Sequence, residues 1–320
     1  MTVLRVIAPG AATTVQASGR NGWRHVGVAR GGALDPAQVV LANHMVGNAH
    51  DLAVLEIALS GPTLTFESAI RIALCGASID AAFDTGNGMQ HIVPNGRPVT
   101  LPAGRLKLGA IRHGLRTWLA IAGGIDVPPV LGSRGTDLRG GFGGLQGRVL
   151  RVDDALRLGQ RSRLDTDAPR HPPWWVSLDA EPANARPFRI VPSQEAVATR
   201  LSQHAWRIDP RSDRQGLRLS GESLQIPACE QLSAPVAPGT IQLPPDGQPI
   251  VLLADAQTVG GYPRLGFVIA ADLPRMAQLR AGDTLRFEPV DAIEAEQLRR
   301  RRKSELARAL LAVDARVQSG

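Results

Sequence analysis

Tyrosine is nearly missing from this sequence: Tyr262 is the only one in 320 residues, and all aromatics together amount to 4%. The cores must therefore be made of Val, Ile, Leu and Ala, and a surface that stacks bases on aromatic rings is disfavoured. Lysine occurs only at Lys107 and Lys303, so the net charge of +7 rests on arginines that are scattered and mostly single. That pattern indicates a compositional bias toward Arg rather than a nucleic-acid face, which clusters its charge. Cysteine occurs twice, at Cys75 and Cys229, with no CxxC. A disulfide framework is excluded, and two buried, reduced thiols are expected. No apolar run approaches the ~18 residues of a membrane span, and no charged head leads into an apolar stretch at the N-terminus. The reading is a cytoplasmic chain that engages neither membrane nor nucleic acid. The seven histidines, His113 among them, form no HxH or HExxH, so no metal site is expected. There is no GxSxG elbow, no Walker A loop and no GxGxxG, which leaves nucleophilic catalysis and nucleotide binding without a motif.

What is present is a succession of short strand patterns. Thr63–Phe66, Ile70–Leu74 and Ile250–Leu253 are strand-length and end in turn residues. Asn95-Gly96 and Asp246-Gly247 read as hairpin turns. Three helices are expected: Asp35–Val46, with Asp35 as cap and Pro36 in the first turn; Gln194–His204; and Ala292–Val317, with Leu306, Leu310, Val313 and Val317 on one side. A length of 320 residues implies two domains, because single cores rarely grow past ~250–300 residues. The chain also resembles itself. Leu59-Ser60-Gly61 matches Leu219-Ser220-Gly221 and its following Leu224-x-Ile226. Asn95–Val99 matches Asp246–Ile250, Arg116–Ala122 matches Arg264–Ala270, and Asp154–Leu158 matches Asp283–Phe287, in the same order. The expectation is a mainly β protein made by tandem duplication: a first β-rich domain over 1–165, a Pro-rich linker over 166–186, a second domain over 187–290 and a helical tail over 291–320. The first copy carries an insert, Gly132–Leu150, rich in Gly and Arg.

Five places attract a functional reading. In DAQTVGGYPRLG, Asp255 is either a turn cap or a base, Gln257 can donate and accept toward a planar amide, and Thr258 adds a hydroxyl. Gly260 and Gly261 let backbone approach a ligand, and Tyr262 is either a packed ring or an acid, base or orienting group. In the insert, Arg134 and Arg139 offer forked donors to a carboxylate or phosphate, or else are solvated arginines. Asp35 caps its helix or marks an anion site, and Asn43, on the apolar side of that helix, can anchor the loop before it. The duplication puts His113 in the loop equivalent to the one before Tyr262, so both loops could line one inter-domain cleft. The basic run Arg299–Lys303, flanked by Glu294, Glu296 and Glu305, is a solvated helix face or a partner-docking one.

These residues carry a family resemblance. GGALDPAQVVLANHMVGN (Gly31–Asn48), GLRTWLAIAGGIDVPPVLGSRGTDLRGGFGG (Gly114–Gly144), SDRQGLRLSG (Ser212–Gly221) and PPDGQPIVLLADAQTVGGYPRLGFVIAADLPRMAQLRAGD (Pro244–Asp283) are similar to the family of the 5-oxoprolinase C subunit. That family is also described as allophanate hydrolase subunit 2, the Kip antagonist, or the biotin-dependent carboxyltransferase domain of urea amidolyase. The resemblance implies two cyclophilin-like β-barrel domains and a Kip inhibitor-like partner, the 5-oxoprolinase B subunit. Joined by the A subunit, that complex opens 5-oxoproline to L-glutamate using ATP bound on a partner or at an interface. The urea-amidolyase relatives instead move a carboxyl group from biotin to urea, and a third possibility is a non-catalytic regulator. Ala29, Leu217 and Trp118 depart from the family pattern. No Ala-Met-Lys-Met occurs, so biotin would have to arrive on another protein.

Overall fold

The computed structural model describes residues 2–86, 89–160, 162, 164–179, 181–225 and 232–318. Cys229 and Ile226 lie outside the described residues, as does the Val317 side chain. The chain is mainly β and divides into two compact units.

The first unit comprises Met1–Gly19, Asp35–Ala180 and Glu305–Gly320. Its strands are β1 (Val3–Ala8), β2 (Ala12–Gln16), β3 (Val54–Ala58), β4 (Thr63–Phe66), β5 (Ile70–Gly76), β6 (Ile79–Asp84), β7 (Gln90–Ile92), β8 (Pro98–Leu101), β9 (Gly104–Ile111), β10 (Arg116–Ile121) and β11 (Ala155–Arg157), with helix α1 (Pro36–Met45) after β2. They form two antiparallel sheets, ordered β11-β1-β4-β9-β6-β7 and β2-β3-β10-β5-β8. Alternate residues point inward, as a period of two requires. Leu4, Val6, Leu64, Phe66 and Leu106 of one sheet thus share a core with Val15, Leu55, Ile57, Leu119 and Ile121 of the other. β10 is buried on both faces because α1 packs on it and on β5. The helix begins as its sequence predicts: the Asp35 carboxylate accepts from the N–H groups of Ala37 (3.0 Å) and Gln38 (3.3 Å), and Pro36 occupies the first turn. Under the helix, Trp118 Nε1 donates to Glu56 Oε2 at 2.9 Å, which satisfies the buried indole N–H, and Arg116 lies 3.6 Å from the other carboxylate oxygen.

The second unit comprises Arg20–Leu34 and Glu181–Ser304. It contains β12 (Phe188–Pro192), α2 (Glu195–Gln203), β13 (Trp206–Ile208), β14 (Gly216–Ser220), β15 (Ala234–Pro235), β16 (Thr240–Gln242), β17 (Ile250–Leu252), β18 (Val259–Gly260), β19 (Arg264–Val268), α3 (Leu273–Met276), β20 (Thr284–Leu285) and β21 (Phe287–Pro289). Helix α4 (Ala292–Gln318) belongs to this unit up to Ser304 and to the first from Glu305. Eight strands make one sheet, ordered β20-β13-β14-β17-β16-β19-β12-β21, in which only β12 and β21 pair in parallel. Its two end strands are separated in the chain by Arg286 alone. The sheet therefore curls until its edges meet, a near-closed barrel that leaves little edge to pair with another chain. β15 and β18 form a separate two-stranded ladder, Ala234 opposite Gly260 and Pro235 opposite Val259.

Asp246-Gly247 does turn a hairpin, since β16 and β17 pair across it. Asn95-Gly96 does not. It carries the chain from β7 in one sheet to β8 in the other, and the Asn95 amide bonds both the N–H and the C=O of Ile79. The matched segments β10 and β19 are both interior strands flanked by antiparallel neighbours, and β11 and β20 both end their sheets.

Candidate functional site

The stretch after β17 is held from below by a buried ion pair. Asp255 is 5% exposed and grips Arg214 with both oxygens, Nε to Oδ2 at 2.8 Å and Nη2 to Oδ1 at 3.1 Å. Arg214 Nη2 also donates to the Gly32 carbonyl at 2.6 Å, and Gly31 N–H donates to the Ala254 carbonyl at 2.9 Å. Gly31 adopts φ +57°, and a Cβ there would meet Arg20 Nη1 at 2.9 Å, so glycine is favoured in the turn. Both Asp255 oxygens are thus committed to Arg214, the arrangement of a group that holds its turn.

From there the segment runs outward. Gln257 is half-buried and donates Nε2–H to Gln242 Oε1 at 3.3 Å. Thr258 is buried, its carbonyl accepting from Val236 N–H at 3.0 Å. Gly260 lies against the Gln242 amide so closely that a Cβ would come within 2.5 Å of Nε2. Gly261 is exposed, and Tyr262 presents its phenol to solvent at 46% exposure, which excludes the reading of a ring packed into the core. Within six residues the segment thus descends from an exposed phenol to a half-buried amide that meets the buried one of Gln242. Gln242 is a residue that sequence reasoning missed. It is 1% exposed, sits where the β16–β19 register shifts by a bulge, and its Nε2 has no hydrogen-bond partner. Its only sequence signal is a lone amide between Ile241 and Leu243.

The first unit holds the remaining candidates. Asp35 commits its carboxylate to the α1 cap. Asn43 is fully buried and ties down the loop after the helix rather than the one before it: Nδ2 donates to the Leu52 carbonyl at 2.9 Å, and Oδ1 accepts from Asn48 at 2.9 Å. Both residues are scaffold, because their polar atoms are engaged by the chain itself. His113 lies exposed between β9 and β10. The insert is an integral loop: Thr136 Oγ1 donates to the Val15 carbonyl at 2.8 Å, Gln16 Nε2 donates to the Thr136 carbonyl at 3.2 Å, and Asp137 turns it through Gly140 N–H at 2.8 Å. Arg134 donates to the Val127 carbonyl, and Arg148 clasps Asp154 with two bonds of 2.7 Å. Arg139 is exposed. A cleft of about 440 Å³ beside the loop is walled by Val127, Phe142, Leu145 and Leu156, with neither Arg134 nor Arg139 in its lining. Among the described residues no group of His, Cys, Asp or Glu is arranged to hold a metal, and no helix is long and apolar enough to cross a membrane.

Residues 26–289 match the family described as carboxyltransferase domain, subdomain A and B. The chain is 38% identical to the 5-oxoprolinase C subunit of Escherichia coli (strain K12) over 95% of its own length and 98% of that protein. It is 34% identical to the 5-oxoprolinase C subunit of Haemophilus influenzae over 90% and 91%. The structure of the K. lactis urea amidolyase superposes with a TM-score of 0.84 at 29% identity, covering 96% of this chain but 20% of that much longer one.

Proposed function

The chain belongs to the carboxyltransferase domain, subdomain A and B, family, and on that premise we propose that it is the C subunit of an ATP-dependent 5-oxoprolinase, opening 5-oxoproline to L-glutamate together with the A and B subunits. The observation that carries this reading is the near end-to-end similarity to two proteins of that name. The urea-amidolyase likeness, by contrast, covers a fifth of a larger enzyme. The proposed setting is the cytoplasm, in keeping with a free, buried thiol at Cys75.

The proposed site is the Gln257–Tyr262 segment. A five-membered lactam presents a carbonyl and an N–H on one edge. Gln257 and the Thr258 hydroxyl hydrogen-bond that edge, Gly260 and Gly261 leave room for the ring, and Tyr262 stands at the mouth as proton donor or orienting group. Ring opening adds water across the C–N bond: its oxygen joins the carbonyl carbon, the bond to nitrogen breaks, and the nitrogen takes a proton. Donors fixed on the carbonyl oxygen stabilise the negative charge that grows there. Asp255 takes no part in proton transfer in this scheme. Paired with Arg214, it holds the strand end from which the segment starts. His113 and Arg139 are left as surface groups able to meet an anionic partner or substrate carboxylate.

ATP supplies the driving force of such a reaction by activating the amide oxygen. This chain's donor set does not fit a phosphate cradle, since Arg134 is engaged by Val127 and Arg148 by Asp154. We therefore assign the nucleotide to a partner or an interface. Covalent biotin does not fit either: Lys107 lies in mid-strand in β9, Lys303 lies within α4, and neither is in an Ala-Met-Lys-Met segment. A carboxyltransferase role would need biotin carried on another chain.

The test is co-expression with the cognate A and B subunits and an assay of glutamate release from 5-oxoproline with ATP. Glutamate formation that requires this chain is the expected result. Urea carboxylation with a biotinylated carrier and no glutamate would replace the reading with carboxyl transfer. Stable complex formation without either reaction would leave a binding protein.

A further inference from the structure

We infer that Gln242 is a specificity-determining residue that reads the amide edge of the ligand, and that Val259–Gly261 forms a small flap covering it when no ligand is bound. This deepens the proposed function and rests on its placing of a small cyclic amide or urea at Gln257–Tyr262.

The starting point is an unmet hydrogen bond. Gln242 is 1% exposed, yet its Nε2 has no partner. Gln257 Nε2 donates to Gln242 Oε1 at 3.3 Å. That bond meets one end of the buried Gln242 amide and leaves the other end, Nε2, over. Leaving such a group unpaired costs on the order of 1–3 kcal/mol, so a buried site that keeps one is explained when a ligand completes it. The β16–β19 register shifts between Ile241 and Gln242, leaving Leu265 of β19 as the extra residue opposite them, and such irregularities recur next to binding sites. A primary carboxamide offers an acceptor and a donor side by side. So does the edge of a lactam or a urea, with the two roles swapped, and the match is a pair of parallel hydrogen bonds.

The cover is equally specific. Gly260 sits where a Cβ would come to 2.5 Å from Gln242 Nε2, so a larger residue would have to displace the amide that glycine covers. The strand that carries it is two residues long, and its ladder partner Pro235 has no N–H to give. Val259 and Gly261 on either side are exposed. Lifting this flap breaks little and uncovers Gln242, with Tyr262 moving on the same segment.

The test uses the complex with its partners and four forms of this chain: unchanged, Gln242→Met, Gln257→Met and the double variant. Methionine keeps the length and removes both polar atoms. Gln242→Met is expected to lower kcat/KM for 5-oxoproline about tenfold to a hundredfold, chiefly through KM, while raising the melting temperature of the isolated chain because the unmet group is gone. The double variant is expected to lose less than the product of the single losses, since the two amides read one edge. A working complex whose kcat/KM is unmoved by Gln242→Met overturns the inference and leaves the proposed function standing. In parallel, the glutamine side-chain amide signals of the ¹⁵N-labelled unmodified chain are followed with 2-pyrrolidone and with proline, which lacks the ring carbonyl. If the complex is inert but 2-pyrrolidone alone shifts the Gln242 signal, the enzymatic reading fails and the inference holds. If the complex is inert and neither compound shifts the signal, both fail. Should Gln242→Met not fold, the titration decides by itself.

Discussion

At Cys75 a buried thiol lies 4.0 Å from the Met45 sulfur. Burial, with the nearby Asp35 charge, pushes its pKa up to about 12. A thiol reacts as its thiolate, so Cys75 is inert in the folded chain. In a Cys229→Ser background, a disulfide reagent at pH 8 is expected to label nothing until denaturant is added; labelling of the native protein at the rate of a free thiol would show that the site opens. Tyr262 is the opposite case, exposed and on the segment assigned to the ligand. Tyr262→Phe is expected to leave the melting temperature within about a degree and to lower turnover by about tenfold or more, in the range of positioned acid–base groups. An unchanged rate would leave the phenol a surface group. Single residues were also where the sequence said least about the site. It marked Gln257, Thr258 and Tyr262 by their types. It could not show that Asp255 is taken up by Arg214, 41 residues away, or that Gln242 meets Gln257 across 15 residues, because those pairings are made by the sheet and not by local pattern.

Elements were far more legible. β4 and α1 begin and end where alternation, cap and proline put them, and α2 and α4 fall within a residue of their expected bounds. Asn95-Gly96 misled because turn chemistry fixes a local bend without saying which sheet the next strand joins. Short α3 owes its place to tertiary contacts that no periodicity reports. Asp272, at its start, is 1% exposed and bonds Arg189 at 2.9 Å through Nε and at 2.8 Å through its backbone N–H, with Arg275 at 3.4 Å. Burial alone would raise this carboxyl; the Arg189 bonds and the two positive charges outweigh it and leave the pKa below its usual value. A depressed carboxyl adds stability above the unfolded range near ~4 and loses it as the pH falls through the folded value. Asp272→Asn, which leaves two arginines facing an uncharged group, is expected to destabilise the second unit by about 3–5 kcal/mol at pH 7, and by less in acid. Denaturant melts of both proteins at pH 7 and pH 3 measure it. An equal loss at the two pH values would remove the electrostatic explanation.

On the scale of the whole molecule, the mainly β character followed from strand patterning. The routing of the chain did not. Arg20–Leu34 leaves the first unit's sequence to join the second, and α4 passes from the second back to the first beyond Ser304. Hydrophobic pattern gives each segment a structure without naming the body that it completes. The excursion is short and irregular apart from one 3-10 turn, Arg24–Val26, so no periodicity advertises it.

That routing has a consequence for anyone who divides the gene. A fragment beginning at Glu181 would lack Gly31 and Gly32, and with them the carbonyl that Arg214 meets and the N–H that Ala254 receives. The lone C-terminal half should therefore melt broadly, and supplying Arg20–Leu34 as a separate peptide should sharpen the transition. Fission of this chain into independently inherited halves is obstructed by fifteen residues that sit on the wrong side of the cut.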